Sequence, residues 1–436
     1  MEARPVKIFS SADTSRLRFV TELIFGEMLG LNWEIVTDRR RLGKCPVINY
    51  SGKKISGSFT VRPSPILFEE GVHAQELNVS EWRGLPVLFH SDGGEDLPFD
   101  IFAASFFLVS RYEEYLVFEP DAYGRFSSSE SVAFKHGFLG KPVVDLWVKE
   151  LARMLVRRFP MLTFRKSVFS AIVTIDTDEA FAYPGKDLMG GLGGFLHDLA
   201  SGLKSAGHRP DYLKGSLKDP FYEAFEYILQ ECSKRNISAK FFFPVGDQTD
   251  FDKNPSWKNR QYREMINRTF ESYGAGLHPS YRAAIGLRSL RAEAGRFAAI
   301  TGKACLFSRF HYIRFRMPAS FRNLIDAGVR EDHSMGYTDE PGFRAGIARS
   351  FRFFDLLNNS VTDLRIFPFQ LADVMMKDNK KLTTGAYAKV IAEMISQTKN
   401  VGGQFVSIWH NTSLLDTNEC REWRGLFKLT LDQQVL

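Results

Sequence analysis

From residue 171 onward the sequence repeats a strand, a loop and a helix several times, and this rhythm constrains the fold more than any other feature. Short apolar segments rich in Val, Ile and Phe alternate with longer segments of helical periodicity. Strands separated by helices pair in parallel, because the helix must cross back over the sheet. The pattern predicts a parallel sheet or barrel, in which ligands bind at the carboxyl ends of the strands.

The elements of this region follow from the periodicity. Strands are predicted at 171–175, 239–245, 274–277, 306–309, 364–367 and 404–409, and helices at 221–235, 262–273, 286–301, 320–327 and 386–399. The long connection at 183–219 contains the segment 190–194, in which four of the five residues are glycine. Neither a dinucleotide fingerprint nor a Lys-Ser/Thr pair follows this segment. We therefore interpret this connection as a lid or a packing insertion rather than a phosphate cradle.

The first 160 residues have a different pattern. Short β-like segments are separated by Gly, Pro and Asp turns, and two helical stretches follow. The segments lie at 6–9, 33–36, 46–50, 65–68 and 86–89, and the helices at 100–115 and 143–159. The sequence therefore predicts an α/β protein with a small N-terminal α+β module of unassigned role at 1–160 and a parallel sheet or barrel with crossover helices at 165–436.

The composition excludes several classes of protein. Of 436 residues, 44% are hydrophobic and 25% charged, which is typical of two or three globular domains rather than a disordered or fibrous chain. The 57 Lys and Arg against 51 Asp and Glu are scattered, so no nucleic-acid partner is predicted. Neither a signal peptide nor a membrane span is apparent, which favours the cytoplasm. The four cysteines lack metal-site spacing and are expected to be reduced and mostly buried. The oligomeric state is not specified.

Carboxylates and histidines stand at the ends of four predicted strands. Asp176 and Asp178 follow the first strand, and His278, His311 and His410 follow the third, fourth and last. Because the carboxyl ends of parallel strands meet at one edge, these side chains are expected to converge. Asp and His ligands with open positions for water suit Zn²⁺ or another divalent transition ion.

The Asp-x-Asp motif alone leaves several chemistries open. It occurs as the metal and base pair of deacetylases, the aspartyl nucleophile of phosphatases and the metal site of glycosyltransferases, and it also caps helices and turns. The acidic segment 246–250 loosely resembles a late phosphatase motif, but it comes too early in the chain. No nucleotide-binding half precedes Asp176, and only the deacetylase interpretation uses the clustered histidines.

Residues 165–415 resemble the polysaccharide deacetylases with the NodB-type fold, which are divalent-metal hydrolases on an irregular (β/α) barrel. Five segments resemble motifs of this family. Thr174-Ile175-Asp176-Thr177-Asp178 resembles Thr-Phe-Asp-Asp, and Ala239-Lys240-Phe241-Phe242-Phe243 resembles Ala-Thr-Phe-Phe. Gly276-Leu277-His278 resembles Gly-x-His, Arg309-Phe310-His311-Tyr312 resembles Arg-x-Pro-Tyr, and Ile408-Trp409-His410 resembles Leu-x-His. The stretch 332–346 resembles a subgroup with an N-terminal module of unknown role.

The resemblance implies a role for each of these residues. Asp178 and His278 would bind the metal, and Asp176 would be the general base that takes a proton from the attacking water. Arg309 would orient Asp176, the backbone N–H of Tyr312 would complete the oxyanion site, and His410 would protonate the departing amine or alcohol.

The sequence departs from the family at the second metal motif, His-x-x-x-His. Arg282 stands where the second histidine is expected, and His311, in place of the family's proline, is predicted to supply the third ligand. The predicted function is removal of an acetyl or acyl group from a sugar or glycan precursor, with a divalent metal, most simply Zn²⁺. The alternative is a catalytically degenerate relative that acts as a carbohydrate-binding or regulatory module.

Two further residues follow the segment that resembles Arg-x-Pro-Tyr. Tyr337 and Arg344 lie in a Gly-rich stretch, where an arginine can bind a carboxylate or phosphate on a sugar. An ion pair of Arg344 with Asp332 or Asp339 is the structural alternative. The residues 111–115 are interpreted as the end of a packing helix.

Overall fold

The computed structural model describes residues 4–91, 93, 95–182, 218–378 and 383–434. The chain divides into two compact units. The first unit comprises Met1–Ser170, Met335–Gln370 and Ser396–Phe405, and the second comprises Ala171–Ser334, Leu371–Ile395 and Val406–Leu436. This division differs from the single boundary predicted near residue 165, because the chain returns to the first unit twice. The predicted lid at 183–219 lies almost wholly outside the described residues.

The strands are numbered in chain order. They are β1 (Val6–Ser10), β2 (Trp33–Val36), β3 (Val47–Tyr50), β4 (Phe59–Thr60), β5 (Ser80–Trp82), β6 (Leu85–Val87), β7 (Ser170–Asp176), β8 (Ala239–Phe243), β9 (Ala275–Leu277), β10 (Phe307–Ser308), β11 (Glu331–Asp332), β12 (Phe351–Asp355), β13 (Ser360–Ile366), β14 (Leu371–Ala372) and β15 (Gln404–His410).

The helices are numbered in the same way. They are α1 (Ser15–Thr21), α2 (Ile101–Val109), α3 (Val132–Lys135), α4 (Val143–Arg158), α5 (Pro220–Lys234), α6 (Arg260–Ser272), α7 (Leu287–Thr301), α8 (Ala319–Asp326), α9 (Asp373–Asp378), α10 (Thr384–Asn400) and α11 (Arg421–Gln434). A π-helix, Glu22–Met28, continues α1. None of the helices in the described ranges combines the length and the apolar character that a bilayer span requires.

The first unit contains a parallel sheet in the order β2-β1-β3-β4, whereas an α+β module was predicted. Its α2 is buried along all nine residues, as the apolar sequence predicts. The Asp100 carboxylate caps this helix by accepting from the backbone N–H groups of Phe102 and Ala103, both at 3.0 Å. The Tyr50 hydroxyl donates to the same carboxylate at 2.6 Å. Burial raises the pKa of Asp100 to about 6.

Two predicted elements in the first unit were wrong, and the pairing expected for a third strand differs. The segment 65–68 forms the 3₁₀ helix Pro65–Leu67 instead of a strand, because proline fixes φ at a helical value and suits the first turn. The helix predicted to reach residue 115 ends at Val109, and Arg111 has a left-handed φ of 55°. The strand predicted at 364–367 belongs to β13, which pairs with β12 in an antiparallel hairpin rather than in the parallel series.

Arg344 lies in a buried ion-pair network of the first unit. Its guanidinium donates twice to the Glu114 carboxylate, at 2.8 Å each, and the Arg111 guanidinium donates to the same carboxylate at 2.7 Å. These side chains are 3% exposed or less. Burial alone would raise the pKa of Glu114, but Arg344 and Arg111 lower it. The predicted pairing of Arg344 with Asp332 or Asp339 is therefore wrong, and its guanidinium is engaged within the fold.

We expect Glu114→Ala to lower the free energy of unfolding by about 3–5 kcal/mol, because two buried guanidinium groups would lose their shared carboxylate. Urea denaturation followed by circular dichroism would measure the change. Glu264→Ala is the control, since Glu264 and Arg260 form an exposed pair whose loss should cost at most about 0.5 kcal/mol. Equal stability of the two variants would contradict this account.

The second unit contains strands in the order β11-β10-β9-β8-β7-β15-β14. The pairs from β7 to β11 are parallel, and so is the pair of β14 and β15. β7, β8 and β9 carry consecutive buried residues, which is typical of a sheet covered on both faces. The α/β class is confirmed. In the part of the chain that the structure describes, the strand order is linear, and closure into a barrel stays a prediction.

The predicted helices between these strands are confirmed as α5, α6, α7, α8 and α10, with ends within two residues of the predictions. All four cysteines are free thiols, as predicted, and Cys232 and Cys305 are buried.

Candidate metal centre

Asp176 and Asp178 leave the sheet at the carboxyl end of β7. Asp176 is the last residue of this strand and pairs in register with Phe242 of β8. The backbone N–H of the intervening Thr177 donates to the Phe242 carbonyl at 3.0 Å, which fixes the exit of the chain. Asp176 is buried, whereas the side chain of Asp178 is 28% exposed. The two carboxylates therefore differ in their contact with solvent.

Three histidines from three strand ends surround the Asp178 carboxylate. The Nε2 atom of His278, which follows β9, lies 3.1 Å from Oδ1 of Asp178. The Nε2 atom of His311, which follows β10, lies 3.5 Å from Oδ2, and that of His410, the last residue of β15, lies 3.7 Å from the same oxygen. The three histidines therefore converge on Asp178, as the sequence predicts.

Each imidazole is anchored through Nδ1. Nδ1 of His278 lies 2.6 Å from the Arg309 carbonyl, that of His311 lies 3.0 Å from Asp252 Oδ1, and that of His410 lies 2.7 Å from Asp373 Oδ1. These partners are acceptors, so Nδ1 carries a proton, and the Nε2 lone pair faces Asp178 when the ring is neutral. Such outer partners orient metal-binding histidines in proteins.

The atoms at the centre of the cluster are suited to a cation. Nε2 of His278 and Oδ1 of Asp178 are buried and have no hydrogen-bond partner in the described ranges. Asp178, His278 and His311 each offer a ligand atom, all within 4.8 Å of one another. Ligands about 2.0–2.1 Å from a tetrahedral Zn²⁺ lie roughly 3.3 Å apart, close to the 3.1 and 3.5 Å separations from Asp178. The residues present therefore fit a divalent transition ion.

The protonation equilibria reflect the negative charge of this cluster. Burial opposes a charged imidazole, but the Asp178 and Asp252 carboxylates outweigh burial and raise the pKa of His311 to about 10. In the same way, Asp373 and Asp178 raise the pKa of His410 to about 9 against the effect of burial. Burial would raise the pKa of Asp178, but His311 and His410 hold it well below its usual range. The cluster thus stabilises positive charge.

Asp176 forms a buried ion pair with Arg309. Nη1 of Arg309 donates to Asp176 Oδ1 at 2.8 Å, and Nε donates to the His333 carbonyl at 2.9 Å. The Arg309 side chain is fully buried, and its guanidinium lies 4.4 Å from the centre of the Phe242 ring. Burial lowers the pKa of Arg309. The ion pair fixes the orientation of the Asp176 carboxylate.

The sequence also singled out Tyr312 and Arg282. Tyr312 has a left-handed backbone with a φ of 59°, directly after His311. Its hydroxyl donates to the Phe251 carbonyl at 3.4 Å. Arg282, at the position where a second histidine was expected from the sequence, is exposed.

Aromatic rings lie beside His311. Phe251 and Tyr281 are stacked with 4.0 Å between ring centroids and 10° between planes, and Tyr312 meets both edge-on at 6.0 and 5.8 Å. The Tyr312 ring lies 4.4 Å from the His311 ring. Phe251 is 39% exposed. This aromatic cluster of Phe251, Tyr281 and Tyr312 therefore forms a partly exposed apolar surface next to the ligand atoms.

Two aspartates of the site were not predicted from the sequence. Asp252 lies in the loop after β8 and also accepts from the Tyr281 backbone N–H and the Thr249 hydroxyl, at 3.0 and 2.7 Å. Asp373 begins α9 and accepts from the His410 backbone N–H at 2.9 Å. The signal for Asp373 is its place after β14, but this strand has only two residues.

One family model matches the N-terminal part of the chain, and several solved structures are similar to part of it. A family model described as a family of unknown function, DUF7033, matches residues 6–160. No curated protein matches the sequence at a significant level.

Among solved structures, the chain is similar to a candidate polysaccharide deacetylase of Mycobacterium smegmatis, at 12% identity and a TM-score of 0.39 over 61% of this chain and 85% of that chain. A polysaccharide deacetylase of Bacillus cereus matches at 11% identity and a TM-score of 0.30 over 62% and 87% of the two chains. A CE4 family pseudoenzyme of Bacillus anthracis matches at 9% identity and a TM-score of 0.30, with 62% of each chain covered.

Proposed function

We propose that this protein is a metal-dependent hydrolase that removes an acetyl or related acyl group from a sugar or glycan precursor. The observation that carries the proposal is the arrangement around Asp178. Three imidazoles, each anchored at Nδ1, direct Nε2 to one carboxylate, and a second carboxylate with a buried arginine partner stands two residues away. A metal site beside a separate general base is the pattern of metal-assisted hydrolysis.

The metal ligands in this proposal are Asp178, His278 and His311. Two imidazole nitrogens and one carboxylate oxygen match the ligand types of catalytic zinc sites, which leave a fourth position open. A divalent ion bound there would lower the pKa of a water molecule and polarise an acyl carbonyl. Asp252 and the Arg309 carbonyl would hold the two rings in the tautomer that binding requires.

The remaining residues would move protons and stabilise charge. Asp176 would accept a proton from the attacking water, and its ion pair with Arg309 keeps the carboxylate oriented. His410 would donate a proton to the departing amine or alcohol, with Asp373 holding its ring. The backbone N–H of Tyr312 would donate to the developing oxyanion. The residues proposed for these roles all lie at or shortly after strand ends of the second unit.

The aromatic cluster supports a sugar as the carrier of the acyl group. Sugar rings present flat C–H faces that pack on aromatic rings, and Phe251, Tyr281 and Tyr312 offer such a surface beside His311. Its position next to the proposed ligands would place a sugar-borne acyl group near the metal. A glycan precursor is therefore the proposed substrate class.

The test is the metal content of the purified protein together with acetate release. We expect about one ion per chain by elemental mass spectrometry after equilibration with Zn²⁺ and dialysis. The loaded protein should release acetate from N- or O-acetylated sugars, and chelation should abolish this release. Metal binding without acetate release from any acetylated sugar would contradict the hydrolase proposal. Failure to bind any divalent ion would instead support a carbohydrate-binding or regulatory role.

A further inference from the structure

The first unit contains a cavity of about 780 Å³ whose lining includes six basic residues. This volume lies within the range of small-molecule sites, which is about 300–1,000 Å³. All of its lining residues belong to the first unit. Its basic residues are Lys149, Arg153, Arg157, Arg165, Arg349 and Lys399, and Asp145 is its single acidic residue.

Half of these cations lack a carboxylate partner in the part of the chain that the structure describes. Arg349 pairs with Asp145 at 2.6 Å, and Arg153 pairs with Glu150 outside the cavity. By contrast, the Lys149 ammonium donates only to oxygens of Asn400, at 2.9 and 3.0 Å, which are neutral acceptors.

Arg157 forms no ion pair with any described residue, and the Arg165 guanidinium donates to no described residue except the Glu27 carbonyl, at 3.5 Å. Three positive charges, on Lys149, Arg157 and Arg165, thus line one cavity without compensation. Such a concentration of like charge produces a strong local potential that attracts anions.

The cations on α4 repel one another, although Asp145 and Glu150 on the same helix offset part of this repulsion. Lys149, Arg153 and Arg157 are four residues apart, so they lie on one face of the helix. Like charges at this spacing destabilise a helix. The helix dipole favours cations in the last turn, which accounts for Arg157, but Lys149 lies near the middle. A bound anion would offset the repulsion.

The same cavity has an apolar side. Val148, Ala152 and Val156 extend along α4, and Phe164 lies beside them. Val156 is 41% exposed, so apolar surface is open to a ligand there. An inorganic ion would leave this surface in contact with water, whereas an organic anion would cover it.

We propose that this cavity binds an organic phosphate, in which a phosphate or diphosphate is joined to an aromatic or aliphatic body. A phosphate carries close to two negative charges near neutral pH, against one for a carboxylate, and so suits several unpaired cations. Arginine binds its oxygens through two parallel N–H groups. The phosphate can belong to a soluble nucleotide or to a lipid headgroup.

Isothermal titration calorimetry of the full chain with ADP, UDP and inorganic pyrophosphate would test this proposal, alongside flotation with vesicles that contain phosphatidic acid or only phosphatidylcholine. We expect saturable binding of a nucleoside diphosphate, or selective binding of phosphatidic acid vesicles if the phosphate is a lipid headgroup. Lys149→Gln with Arg157→Gln should weaken that binding by about tenfold or more, because two charged hydrogen-bond donors are lost.

Arg40→Gln with Lys135→Gln is the matched control. It removes the same charge from the first unit at side chains that are 89% and 53% exposed and that do not line the cavity. The control should bind as the unmodified protein does, and Arg157→Gln alone keeps the test available if the double variant unfolds. Absence of saturable binding to every probe, or an equal loss in the control, would overturn the proposal.

Discussion

Replacing His311 with alanine should remove the metal ion, with a loss of affinity of at least about a hundredfold. His311 supplies one of only three proposed ligands, and its Nε2 lies 3.5 Å from the Asp178 carboxylate. Loss of a group that only orients a ligand typically costs about 10–100-fold in affinity, so loss of the ligand itself should cost more. Competition with a fluorescent zinc chelator would measure the affinity.

Asp252→Asn and Arg282→Ala separate orientation from ligation. Asp252 accepts from Nδ1 of His311 at 3.0 Å, so Asp252→Asn should weaken metal binding by about 10–100-fold. Arg282 is exposed, and Arg282→Ala should leave the affinity unchanged. Full metal occupancy in the His311→Ala protein would show that His311 has not replaced the ligand that Arg282 displaces from the second motif.

Asp176→Asn should lower kcat by about 10²–10⁴-fold and leave metal content unchanged. The amide keeps the shape of the carboxylate but cannot accept a proton from the attacking water. The metal should stay, because the ligand atoms lie on Asp178 and the histidines rather than on Asp176. Steady-state acetate release and elemental mass spectrometry on the same preparation would measure both quantities.

Two further variants distinguish loss of the general base from a structural defect. Asp247→Asn changes an exposed carboxylate that pairs with Arg296, and it should leave kcat unchanged. Arg309→Lys keeps the charge but loses the second contact, to the His333 carbonyl, and should therefore give an intermediate kcat. Unchanged turnover in the Asp176→Asn protein would remove Asp176 from the mechanism.

Much of the second unit was predictable because its strands and helices have strong periodicity. The strand predicted at 404–409 is β15, and the helix predicted at 286–301 is α7. Residues that directly follow strands, such as His278, were predictable as a group because the ends of parallel strands meet at one edge. Pattern alone therefore predicted that these side chains converge, and the histidines do lie around Asp178.

The remainder depends on tertiary context that periodicity does not encode. The segment at 364–367 has strand character, but its antiparallel pairing with β12 could not be deduced from its residues. Asp252 and Asp373 were missed because one lies in a loop and the other follows a strand of only two residues. The partner of Arg344 was assigned to nearby aspartates, although Glu114, 230 residues away in the chain, is its actual partner.

The chain passes back and forth between its two units, and this order limits how the protein can be truncated or recombined. Each unit is assembled from three separate stretches of sequence. A cut at residue 334 would remove Asp373 and His410 from the proposed site, although it would spare Asp176, Asp178, His278 and His311. Neither unit can thus be exchanged between genes as one continuous segment. Recombination that preserves function must carry both together, and the N-terminal module and the site are expected to evolve as one heritable block.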